Sequence, residues 1–149
     1  MDPLSITASS IAILQISGTI INICYNYRSR VKHAAKDTIR IIAELNGLRN
    51  VIDALFLLLE DESENKHSQR SALGNLAQVD GPLARCEENL KALEKKLEPK
   101  EGWRATKAVI FWPLKEPDVR KVLQDIESTK STIQLALAAD QRYITIIQD

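Results

Sequence analysis

An all-α helical bundle of four to five helices is the fold this sequence predicts, and three observations carry that expectation. Apolar residues return at alternating intervals of three and four over most of the chain, the period of a helix face and not of a strand. Five glycines and five prolines in 149 residues supply too little turn chemistry for a multistranded sheet, which needs a break every ~8–12 residues. An apolar share of 44% beside 27% charged residues fits a soluble chain with a packed core, and the length suits a single domain over 1–149.

The first helix is expected from Pro3, whose missing N–H costs nothing in a first turn, to Tyr27. No charged residue occurs in those 25 positions, a length that could span a bilayer. At 100° per residue Gln15, Gly18, Thr19, Asn22 and Asn26 gather on a narrow stripe. Ile6, Ile13, Ile16, Ile20, Ile23 and Tyr27 cover the other side, and Ile11, Leu14, Ile21 and Tyr25 widen the apolar arc. Such a helix is either the central helix of a soluble bundle or one that moves into lipid.

The second helix, Val31 to Leu59, has a seam of Val31, Ala34, Thr38, Ile41, Leu45, Leu48, Ile52, Leu55 and Leu59, spaced alternately three and four. Ile42, Val51, Phe56 and Leu58 form a second apolar line, which predicts packing against more than one neighbour. The run Glu60 to Asn65 is expected to end it in an acidic loop. Leu73, Leu76 and Val79 allow a short helix. Asp80-Gly81-Pro82 then signals a new start, with Asp80 or Gly81 as cap. Leu83, Cys86, Leu90, Leu93 and Leu97 line its inner face, Glu87, Glu88, Lys91, Lys95 and Lys96 lie outside, and Pro99 stops it.

Between residues 100 and 117, Trp103, Phe111 and Trp112 fall among Lys100, Arg104, Lys107 and Lys115. A short helix closed by Pro113 is expected there, its aromatics either an interfacial anchor or, the favoured reading, a plug filling the bundle end. The last helix starts near Pro117-Asp118. Its seam is Val119, Leu123, Ile126, Ile133, Leu137, Ile144 and Ile147, with Lys130 and Asp140 as charged exceptions. That pattern still runs at Asp149, so the chain reads as the N-terminal part of a longer protein.

Chemistry is harder to find. No GxSxG elbow, glycine-rich phosphate loop, HExxH or CxxC occurs, and His33 and His67 sit in unlike contexts. The reading is therefore no enzyme, no metal and no cofactor. Twenty Lys plus Arg balance twenty Asp plus Glu, so no overall field attracts nucleic acid. The one basic stretch is Arg28, Arg30, Lys32, Lys36 and Arg40 against the single acid Asp37. An apolar helix followed by cations suits contact of Arg28, Arg30, Lys32 and Lys36 with anionic lipid headgroups. The bland reading is the polar turn of an α-hairpin with cations at a helix C-terminus. Cys24 and Cys86 fit reduced, buried thiols in a cytoplasmic setting, although Cys24 beside the basic cluster also admits lipidation of a regulatory domain.

Three stretches in order carry a family resemblance: Met1-Asp2-Pro3-Leu4-Ser5-Ile6-Thr7-Ala8-Ser9; Asp80-Gly81-Pro82-Leu83; and Trp112-Pro113-Leu114-Lys115 leading through Lys130-Ser131-Thr132-Ile133 to Leu135-Ala136-Leu137. Together they resemble the fungal HeLo-like N-terminal domains, which head STAND or NOD-like receptor proteins and related ankyrin-repeat, lipase and azaphilone-cluster proteins. The resemblance runs from Met1 to about Asp140, with Gly81, Pro82, Trp112, Pro113 and Lys130 at motif positions. It implies a helical bundle serving as effector end of an intracellular receptor, similar in plan to the bundles of plant coiled-coil immune receptors and of the mixed-lineage-kinase-like pseudokinase. Those bundles attack membranes after oligomerising. By position, the helix Leu4 to Tyr27 would be the membrane-active element, through Leu4, Ile6, Ile11, Ile13, Leu14, Ile16, Ile20, Ile21 and Ile23. The implied partners are further copies or a related bundle domain and anionic lipid, and the implied location is cytoplasmic, conditionally at the membrane. A structural oligomerisation or adaptor bundle without membrane activity is the alternative.

Overall fold

The computed structural model describes residues 3–31, 34–64, 76, 81–98 and 111–148, and the side chains of all of these except 3, 4, 60–64 and 140–148. The described residues form four helices and no strand: α1 Pro3–Arg30, α2 Ala35–Glu64, α3 Pro82–Leu97 and α4 Glu116–Gln148. Leu76 is helical and buried against the core, but the rest of the expected short helix, Leu73 and Val79 included, lies outside the described residues. The same holds for residues 99–110, and with them for Pro99, Trp103 and the helix expected there.

Two boundaries differ from expectation. The first helix runs past Tyr27 to Arg30, so Val31 falls between helices and is no part of the α2 seam. The acidic run is not a loop, because α2 continues through Glu60, Asp61, Glu62 and Glu64. Glutamate propagates a helix well, and nothing in that run breaks one.

The remaining starts and stops follow from local chemistry. Gly81 caps α3 from an extended backbone and Pro82 takes the first helical position. At the other end Glu98 adopts φ −56° and ψ 129°, the extended geometry favoured before a proline, which Pro99 supplies. For α4 the Lys115 N–H donates to Asp118 Oδ2 at 3.1 Å, one half of a capping box.

Each helix buries a heptad-like seam. On α2 these are Thr38, Ile41, Leu45, Leu48, Ile52 and Leu55, with Ala34 buried just before the helix and Ile42 and Val51 as the second line; Leu59 is only half-buried. On α3 all five expected residues are buried. On α4 Val119, Ile126 and Ile133 are buried as expected, while Leu123 and Leu137 are half-buried and Thr129 and Ala136 fill the inner line instead. The Thr129 hydroxyl donates to the Asp125 carbonyl at 3.0 Å, which allows it inside. Ile144 and Ile147 lie outside the described side chains.

The helices pack in a ring, α1 beside α2, α2 beside α4, α4 beside α3 and α3 beside α1. Contacts fix their directions. Tyr27 near the end of α1 bonds Leu97 at the end of α3, and Trp112 just before α4 bonds Asp37 in the first turn of α2. The bundle is therefore two antiparallel hairpins, α1–α2 and α3–α4, laid so that α1 runs parallel to α3 and α2 parallel to α4.

Candidate functional site at the first helix and the basic end

The sequence of α1 splits its buried face into two rows. Ile6, Ile13, Ile20 and Tyr27 form a bulky row, and Ser10, Ser17 and Cys24 a row of small residues between them, all buried. Of the nine residues expected on a membrane-active helix, Ile6, Ile13, Ile20 and Ile21 are core, and Leu14, Ile16 and Ile23 are half-buried against it. Ile11 is exposed, and the Leu4 side chain is outside the description. In the folded bundle Ile6, Ile13, Ile20 and Ile21 are not a surface. Gln15, Thr19, Asn22 and Asn26 face solvent, so the amide stripe costs the fold nothing.

Magnitude decides what such a helix can do. Exposing four buried isoleucines to water costs roughly 6–12 kcal/mol, comparable to the whole ~5–15 kcal/mol that holds a domain together. Leaving for water is therefore equivalent to unfolding, so α1 stays in its groove unless another apolar acceptor takes the place of the core. Two features lower its attachment: the Ser10 and Ser17 hydroxyls are fully buried and have no hydrogen-bond partner. Each such orphan costs of order 1 kcal/mol or more.

The C-terminal end of α1 is tied to α3 and to the segment that leads into α4. The Tyr27 hydroxyl donates to the Leu97 carbonyl at 2.9 Å, and its ring meets Trp112 edge-on with centroids 5.2 Å apart. Trp112 Nε1 donates to Asp37 Oδ2 at 3.2 Å, and Arg40 lies 3.9 Å from Asp37 and 3.6 Å from Glu116. Trp112 thus behaves as the expected plug. Phe111 does not: it is 77% exposed, because residues 111–115 are not helical and Trp112 occupies the inward slot.

The basic cluster brackets this plug. Arg28 and Arg30 stand exposed in the last turn of α1, where a helix C-terminus favours cations, and Lys36 is exposed in the first turn of α2. Lys32 and both histidines lie outside the described residues. Arg40 is engaged by Asp37 and Glu116, which separates it from the other cations.

The motif positions have structural roles. Gly81 and Pro82 start α3, and Pro113 is exposed in the segment that carries Trp112. Lys130, the charged exception on the α4 seam, places Nζ 3.0 Å from both Glu44 on α2 and Glu127 on its own helix. Burial opposes the charge there, yet the two carboxylates outweigh it and raise the ammonium above its ordinary range. Its Nζ would lie 3.1 Å from a Cβ at Gly47, so a glycine leaves room for the chain to lie across α2. Sequence reading saw Lys130 as a break in the pattern. Its acid three residues earlier, Glu127, was the signal for an ion pair.

The thiols are chemically quiet. Burial pushes Cys24 up to about 12. Cys86 rises to about 11 by burial, against an opposing hydrogen bond with Thr129. A thiol so protonated and enclosed is a poor nucleophile, so lipidation at Cys24 would require α1 to open. Among the described residues no group of three or more His, Cys, Asp or Glu could hold a metal ion. An open groove of about 90 Å³ between α3 and α4, lined by Leu93, Lys96, Asp118, Lys121 and Asp125, is small beside the ~300–1,000 Å³ of a typical ligand site.

No family model, curated protein or solved structure matches this chain.

Proposed function

We propose that this chain is the N-terminal effector or signalling bundle of a fungal intracellular receptor-type protein of the HeLo-like kind. It acts without catalysis, by oligomerisation, and α1 is the element that reaches a membrane and induces cell death. It is cytoplasmic at rest and membrane-bound once activated. The observation that carries this reading is the composition of α1: a 28-residue helix with no charge before Arg28, whose hydropathy and length suit a bilayer.

The energetics fit a switch. A helix that cannot leave for water must be offered a bilayer or a neighbouring copy in the same step. Within lipid the Gln15, Asn22 and Asn26 stripe disfavours a lone helix, since unpaired amides are costly there. Copies brought together turn those stripes toward one another, which makes membrane entry conditional on assembly.

The test is dye release from vesicles of neutral or anionic lipid by the chain fused to an inducible oligomerisation tag. Wild type is compared with a form lacking residues 1–27 and with charge reversal of Arg28, Arg30, Lys32 and Lys36. The expected outcome is release only on assembly, only from anionic vesicles, weakened by salt and absent in both variants. A wild type that stays in solution when assembled at low salt would overturn membrane attack.

A second reading, an oligomerisation or adaptor bundle with no membrane activity, is favoured by one observation, that Ile6, Ile13, Ile20 and Ile21 of α1 are core and its amides are solvated. In that case α1 never changes partners, and amide exchange in α1 stays as slow after assembly as before.

A further inference from the structure

The exposed cations do not end with the α1–α2 cluster. Parallel seating of α1 and α3 brings exposed Lys95 and Lys96, in the last turn of α3, to the same end as Arg28 and Arg30. Lys36 and Lys115 complete the set, so four stretches far apart in sequence contribute six exposed cations to one end. The acids there are Asp37, Glu94, Glu98, Glu116 and Asp118. Three of them are occupied internally: Asp37 by Trp112 and Arg40, Glu116 by Arg40, and Asp118 by the Lys115 N–H. With Arg40 counted, this end carries seven cations against five acids, a net charge of +2.

At the same end Phe111 is 77% exposed, directly before the Trp112 whose ring meets Tyr27. A net-positive end with an exposed aromatic complements an anionic bilayer. Each cation near such a surface multiplies partitioning roughly fivefold, and the ring enters the headgroup boundary. We propose that this end of the folded bundle is a docking face for anionic lipid headgroups, engaged while α1 is still in its groove. The inference rests on the membrane reading above, but it separates docking from the release of α1.

The experiment uses the untagged, monomeric chain in sedimentation with vesicles of phosphatidylcholine alone or mixed with phosphatidylserine. Wild type is expected to bind only the mixed vesicles, with α1 amide exchange unchanged on binding. The K95E/K96E double variant, which leaves the α1–α2 cluster intact, should bind about tenfold or more weakly. F111S should bind several-fold more weakly with an unaltered melting curve. Reversal of exposed cations elsewhere, R49E and R85E, should leave binding unchanged.

Wild-type binding by K95E/K96E and F111S, or an equal loss in R49E and R85E, would overturn the docking face. So would α1 losing exchange protection on binding. Pelleting without lipid would replace it with self-association, the basic end of one copy against the acidic last turn of α2 in another. Docking without dye release on assembly would remove the effector reading of α1 and leave the face standing. Release without monomer docking would do the reverse.

Discussion

α1 and α3 are parallel neighbours with the same heptad spacing, yet they are held by different means. α3 seats Leu83, Leu90, Leu93 and Leu97 around Cys86, and its outward positions are charged. α1 seats isoleucines alternating with Ser10, Ser17 and Cys24, two of which bury hydroxyls without partners, and its outward positions carry amides and exposed Ile11 and Tyr25. One helix is specified for water on its outer side and for this core alone on its inner side. The other has a core face that any apolar acceptor could satisfy, and no outer charge to forbid that acceptor. Position in a bundle and commitment to it are separate properties of a sequence.

The contrast is broken most severely on α3. Leu90→Asp places an unpaired carboxylate on a packed seam, at a cost of several kcal/mol, and is expected to unfold the chain. Circular dichroism and thermal melting check it, and wild-type melting would remove the α3 seam from the core.

Alkaline pH is the next largest lever. Burial raises both thiols above their ordinary 9, Cys24 to about 12 and Cys86 to about 11. Above pH 9 the unfolded chain gives up protons that the folded chain keeps, so stability is full below 9 and falls as pH climbs toward 11–12. Denaturant midpoints for wild type and for the variant with Cys24→Ala and Cys86→Ala should diverge in slope over that window.

Tyr27→Phe removes the hydrogen bond from α1 to the Leu97 carbonyl of α3, for a loss of about 1–2 kcal/mol. Amide exchange should then accelerate more in α1 than in α3. Ser17→Ala removes an unpartnered hydroxyl and is expected to stabilise by up to ~1 kcal/mol, the opposite sign from truncating any α3 seam residue. Asn22→Leu, at an exposed position, should leave the melting temperature almost unchanged while increasing partition into detergent micelles. Unchanged partition would mean that the amide stripe does not restrain α1.

The seams of α2 and α3 were legible because periodic apolar residues have one economical placement, on the inside of a helix. Pro82 and Pro99 likewise announced the ends of α3. What escaped was set by tertiary neighbours. Val31 has the apolar character of the α2 seam, yet the chain uses it between helices. Thr129 is polar in the sequence and buried in the fold because the carbonyl of Asp125 takes its proton. Phe111 and Trp112 are adjacent and similar, and only Trp112 has an acceptor, Asp37, for its N–H. The basic cluster was visible only where it is contiguous. Lys95, Lys96 and Lys115 join it through helix direction, which periodicity does not encode.

The direction of the helices also settles where attachments would sit. α1 begins, and α4 finishes, at the end opposite the exposed cations, and α4 with its 33 residues is about 50 Å long. A fluorophore, tag or fused domain joined at either terminus therefore stands on the far side of the molecule from Phe111. A surface or sensor chip to which the chain is anchored by a terminus would hold the basic end outward, as a probe tip presented to whatever flows past.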